Sequence, residues 1–250
     1  MVISIRHDID NNINTAIKLA YREHKYGIRS TYYLLHTANY YGKTATNSFV
    51  RNEKSIYFFK KLQDGFGHEL GFHNDLVTLQ VVYGIEPKSY LAQELKWLRD
   101  NGIVIKGTCT HGSAYCYIYH YLNTYFWRSS PNYGHNFYNY QYIYKPGPNI
   151  HIPNNEQNNI NFNEIYQNIQ QVDSDPAGVP LSGAVGLEII KDDRANYDLE
   201  YDGDYLHTNY NFSDVKIYPG GKRWHMSMED FNAIPAGKKV IVLIHPLFWD

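Results

Sequence analysis

The chain of 250 residues is poor in cysteine, with 2, and close to neutral, with 23 Lys+Arg against 25 Asp+Glu for a formal net charge of -2. Cys109 and Cys116 alone make neither a disulfide framework nor a zinc-finger spacing, and a reduced, intracellular setting fits them best. Without a basic excess, nothing argues for nucleic acid or an anionic membrane surface as a partner. No apolar run approaches the ~20 residues of a membrane span, and no basic n-region precedes an apolar stretch. The expectation is a soluble, cytoplasmic protein. There is no internal repeat and no linker, so residues 1–250 are expected to form one domain. Pro219-Gly220-Gly221-Lys222-Arg223-Trp224 lacks the Gly-x-x-x-x-Gly-Lys-Ser/Thr spacing, which removes nucleotide hydrolysis. Ser113, Cys109 and Cys116 lie in no nucleophile elbow, which leaves covalent catalysis a minor alternative.

What is abundant is tyrosine, with 25 Tyr and 4 Trp. Runs such as Asn136-Phe137-Tyr138-Asn139-Tyr140 suit either a carbohydrate-stacking surface or a general Asn/Tyr bias.

The first half alternates strand and helix patterns. Val2–Arg6, Thr31–Leu35, His68–His73 and Ile103–Thr108 read as strands. Asn12–Lys25, Lys54–Leu62 and Pro87–Arg99 read as helices, with Gly27 and Asn101-Gly102 as stops. The second half is less regular. Residues 129–160 read as a long Asn/Tyr-rich insertion, Leu187–Ile190 and Tyr205–Thr208 as short strands, and Val240–Ile244 as a final buried strand. Such alternation predicts an α/β fold, a parallel sheet or barrel whose polar groups gather at the strand ends.

Those ends repeat one chemistry. The first strand runs into His7-Asp8-Ile9-Asp10, the second into His36, the third into His73-Asn74-Asp75, the fourth into His111-Gly112 and the last into His245. Carboxylate and imidazole ligands with an open position suit metal-assisted hydrolysis. Zn²⁺ fits best, and Co²⁺, Ni²⁺ and Fe²⁺ are not excluded by the ligand types. Asp8 and Asp10, two apart, share a strand face or diverge into base and ligand at the strand-to-loop turn. Alternation turns His7 away from Asp8 and sets His68 opposite His73, so both read as structural. His36 reads as a substrate contact or a plain surface histidine.

Three segments resemble the NodB-homology polysaccharide deacetylases, carbohydrate esterase family 4, in the divergent cytoplasmic branch linked to surface-polysaccharide biosynthesis. Asp8-Ile9-Asp10 resembles the first motif, Gly67-His68-Glu69-Leu70-Gly71-Phe72-His73 the approach to the second, and Leu243-Ile244-His245-Pro246 the last. The order is right and the matches span most of the chain.

The resemblance implies a distorted (β/α) barrel with fewer than eight regular βα units. It implies a divalent metal, an acylated amino-sugar substrate, Asp8 as general base, Asp10 and His73 as ligands and His245 as general acid. The chain departs from the pattern twice. Val77 stands where the second metal histidine belongs, and Thr108-Cys109-Thr110-His111-Gly112 replaces the Arg-bearing third motif. His111 is expected to supply the missing imidazole, and Arg6 or Arg128 the arginine that orients Asp8. Asp75 is expected to orient a metal-bound histidine or to cap the next segment, and Trp224 to wall the pocket. The alternatives are a glycan-binding or assembly protein that has lost hydrolysis, and a hydrolase of another small C–N compound. The sequence leaves the oligomeric state open.

Overall fold

A computed structural model describes residues 2–112, 115–116, 121–130, 189–204, 210–213 and 232–246. The central strand β1 (Val2–Ile9) begins exposed and ends fully buried. Asn12 caps helix α1 (Ile13–Lys25) by accepting from the Thr15 N–H at 3.2 Å. Strand β2 (Thr31–Leu35) follows, then an antiparallel hairpin of β3 (Gly42–Ala45) and β4 (Ser48–Arg51). Helix α2 (Ser55–Lys60) widens into a π turn at Lys61–Gly65, where the sequence pattern predicts regular helix to Leu62. Strand β5 (Glu69–Asn74) runs directly into α3 (Leu76–Tyr83), and α4 (Pro87–Asp100) precedes β6 (Ile105–Thr110). In α4 the N-cap Glu86 accepts from the Lys88 and Ser89 N–H groups, with Pro87 at the first position. Strands β7 (Tyr201–Asp202), β8 (Tyr210–Ser213) and β9 (Lys239–Ile244) complete the described elements.

The main sheet has the order β7-β6-β5-β2-β1-β9-β8, and every pairing is parallel. The α/β expectation is met at that level. The sheet curls into a half barrel. In a flat sheet β1 and β6 would stand about 14 Å apart, three strand spacings. Yet Asp8 Oδ1 and Cys109 Sγ are 3.7 Å apart. Glycines make room for this curvature: a Cβ on Gly71 would overlap the Tyr33 ring, and one on Gly107 the Tyr201 ring. Leu34, Phe72, Leu76, Val77 and Leu91 belong to the apolar core.

Register decides which side chains enter the half barrel. Asp8 pairs with Tyr33, Tyr33 with Gly71, and His73 with Cys109. Between Leu70 and Gly71 the β5–β6 register shifts, so that Leu70 faces Ile105 while Gly71 faces Gly107 and Lys106 is the extra residue. A one-residue shift exchanges the faces of a strand. Beyond it, Gly107, Cys109 and His111 share the face of Asp8 and His73. The strand itself starts and ends two residues later than the pattern predicts, which puts His111 directly at its end.

Ile189 and Ile190 lie in no strand. The rest of the expected strand at Leu187–Ile190, the one at Tyr205–Thr208, and the insertion beyond residue 130 fall outside the described residues, as do Trp224 and the Pro219–Arg223 segment. Among the described residues no helix is long and apolar enough to cross a membrane.

Candidate metal centre

The sequence places two carboxylates at the end of β1, and the structure gives them different company. Arg6, two residues earlier on the same face, donates from Nε to Asp8 Oδ1 at 2.8 Å and from the NH2 group to Asp8 Oδ2 at 2.7 Å. Its remaining NH1 group reaches Asp204 Oδ1 at 2.6 Å, and its guanidinium lies over the Tyr33 ring. Both Asp8 oxygens are thus taken by a cation. Burial pushes the Asp8 carboxyl up, but Arg6 and His73 outweigh it and hold it at about 2, ionised at neutral pH.

Asp10 meets histidines instead. Its Oδ1 is 3.3 Å from His73 Nε2 and 3.4 Å from His111 Nδ1, and its Oδ2 is 3.8 Å from His245 Nε2. That buried Oδ1 makes no hydrogen bond of regular geometry. Burial pushes Asp10 up, and the two imidazoles bring it well below the usual carboxylate range. His111 shifts the other way: burial depresses it, and Asp10 raises it above the usual value.

Donor atoms of Asp10, His73 and His111 all lie within 4.8 Å of one another, and all three residues are buried. Tetrahedral ligands at ~2.0–2.1 Å from an ion are separated by about 3.3–3.4 Å. The 3.3 and 3.4 Å separations match that edge length. His73 Nδ1 faces the Cys109 carbonyl at 3.3 Å, which leaves Nε2 for the ion and fixes the ring. A second buried group, Asp8, His73 and Cys109, also has donor atoms within reach of one another. It suits an ion less well, because Arg6 occupies Asp8 and burial pushes the Cys109 thiol up, keeping it protonated. The residues present therefore fit one divalent ion on Asp10, His73 and His111.

His245, after β9, closes the group with Nε2 4.0 Å from Asp8 Oδ2. Asp75 is fully buried, and its charge helps to raise His111; it accepts from Thr37, Thr78 and Asn123. No side-chain bond from Asp75 caps α3. Val77 is buried in the apolar core. Of the two candidate arginines, only Arg6 reaches the site. Arg128 lies 3.9 Å from Asp193 on the surface, away from Asp8. His36 is neither a rim contact nor a surface residue. It is fully buried, accepts the Asp75 N–H on Nε2 at 3.0 Å and stacks on Phe72, and burial pushes it well below the usual histidine range. His7 and His68 face away from the site, bound to Glu23 and to the Ala20 carbonyl.

Sequence reading overlooked Cys109, Asp204 and Asn123 as parts of this region. Cys109 carried a signal, two residues before His111 on the same strand face. Asp204 and Asn123 did not, because their partners are remote in the chain. No protein-family model matches the chain, and a search of curated proteins finds no match.

Proposed function

We propose that the chain is a metal-dependent hydrolase that removes an N-acyl group, acetyl in the simplest case, from an amino sugar in glycan or polysaccharide biosynthesis. Its fold is read as a distorted barrel of the polysaccharide-deacetylase type, and its ion as Zn²⁺. The observation that carries the reading is the placement of Asp10 Oδ1 at 3.3 Å from His73 and 3.4 Å from His111, beside an Asp8 already engaged by Arg6. The resemblance of three segments supplies the substrate class.

Asp10, His73 and His111 would hold the ion, which when bound acidifies water and polarises an amide carbonyl. Asp8, ionised and fixed by Arg6, takes the proton of the attacking water. His245, with Nε2 4.0 Å from Asp8 Oδ2, gives a proton to the departing amine as the C–N bond breaks. The products are a carboxylate and a free amino sugar. The test is metal analysis of the purified chain after Zn²⁺ supplementation, together with acetate release from N-acetylated amino-sugar oligomers. Bound zinc and released acetate are expected. A chain that takes up no metal and releases no acetate would overturn the reading.

A further inference from the structure

Behind His111 lies a buried polar cluster to which the proposed chemistry assigns no part. Asn123, fully buried at the start of a 3-10 turn (Asn123–Phe126), spends both side-chain hydrogens there. Its Nδ2 donates to the His111 carbonyl at 2.8 Å and to Asp75 Oδ1 at 2.7 Å, while its Oδ1 accepts from the Thr78 N–H at 3.0 Å. Asn74 completes the hold: its carbonyl accepts the His111 N–H at 2.8 Å, and its Nδ2 donates to the Asn123 carbonyl at 3.1 Å. The acceptor that fixes the Asn123 amide is itself fixed, since Thr37 donates to Asp75 Oδ2 at 2.6 Å.

His111 stands just past the last residue of β6, where the ladder holds its N–H on the Asn74 carbonyl and its own carbonyl turns to Asn123. A ligand there must be held to within about 0.5 Å by its surroundings to serve an ion. Only an amide side chain satisfies this site. It must offer two donors, one to a carbonyl and one to a carboxylate, and an acceptor to a helix N–H. We propose that Asn123 is the positioning residue that makes His111 a metal ligand, which rests on reading Asp10, His73 and His111 as the metal set. Asp75 acts through it, by aligning the amide. In this chain the carbonyl of the ligand is a handle on its position.

The full chain, freed of metal, is titrated with Zn²⁺ by calorimetry and with Co²⁺ by visible absorption, as the unmodified protein and as Asn123→Ala, His111→Ala and the double variant. Loss of an outer partner of a metal ligand weakens binding roughly 10- to 100-fold, and Asn123→Ala is expected in that range with an altered Co²⁺ spectrum. In the His111→Ala background the same change is expected to cost nothing further. If circular dichroism shows that Asn123→Ala does not fold, Asn123→Asp, which keeps the acceptor for Thr78 and loses the donors, is read in its place. Unweakened binding in the single variant, or an equal loss with His111 already removed, overturns the role of Asn123 alone. An unmodified chain that binds no Zn²⁺ overturns the metal reading and this inference with it.

Discussion

Strand β1 carries a histidine–carboxylate cluster on each of its two faces, and the two are built differently. On the outer face, Glu23 of α1 receives His7 Nε2 at 2.8 Å and the Tyr32 hydroxyl at 2.8 Å, with His7 stacked on Tyr32. One carboxylate is answered at ordinary hydrogen-bond lengths. On the inner face, two carboxylates and three imidazoles stand at 3.3 to 4.0 Å, beyond the 2.7–3.2 Å of a good hydrogen bond. Residue types would not distinguish the clusters. Spacing does: the outer one is closed on itself, and the inner one leaves room for an ion among its donors.

Asp8→Asn tests the division of labour at the inner face most severely. Turnover should fall by roughly 10²- to 10⁴-fold, the usual worth of a general base, while zinc content stays at the level of the unmodified chain. Full activity in that variant would remove the base assignment. His111→Ala comes next, weakening Zn²⁺ binding by more than the roughly 100-fold ceiling for an outer partner. Adding Val77→His to that variant should restore nothing, because position 77 is sealed in the apolar core; recovered binding would show that it faces the site.

Arg6→Met removes the cation from a buried ion pair and strands the Asp8 carboxylate, a loss of about 3–5 kcal/mol in denaturant unfolding. A smaller loss would mean that Asp8 is solvated. On the outer face, Glu23→Gln should leave turnover alone and cost about 1–3 kcal/mol of stability near neutral pH. Burial raises the Glu23 carboxyl, but His7 and Tyr32 bring it below its ordinary 4.5. Its stabilising effect is therefore complete above that value and lost as the pH falls through the depressed one. Unfolding midpoints followed downward from pH 6 should show this acid limb in the unmodified chain and a shallower one in Glu23→Gln. Identical profiles would separate Glu23 from acid stability.

Much of this was legible in the residues. The strands β1, β2, β5, β6 and β9 follow from β-forming runs, and strand-end histidines and carboxylates mark Asp8, Asp10, His73, His111 and His245. The hairpin β3–β4 escaped because each strand is only four residues long and turns through Asn47 at a φ of 54°. Helix α3 escaped because Leu76-Val77-Thr78-Leu79 is buried all round and shows no period of 3.6. Arg128 was offered as a stand-in for the family's missing arginine, and its neighbour in space is Asp193. Asn123 and Asp204 are invisible in sequence for the same reason: their partners are remote in the chain, 48 residues away for Asp75 and 198 for Arg6.

The bulge at Lys106 sets the facing of every residue that follows it in β6. Were the pairing of Leu70 with Ile105 to continue unshifted through Lys106, His73 would face Thr108 in place of Cys109. His111 would then lie on the outer face, under the helices. The bulge thus keeps Cys109 and His111 on the inner rim although one residue more separates them from Ile105 than a regular ladder accommodates.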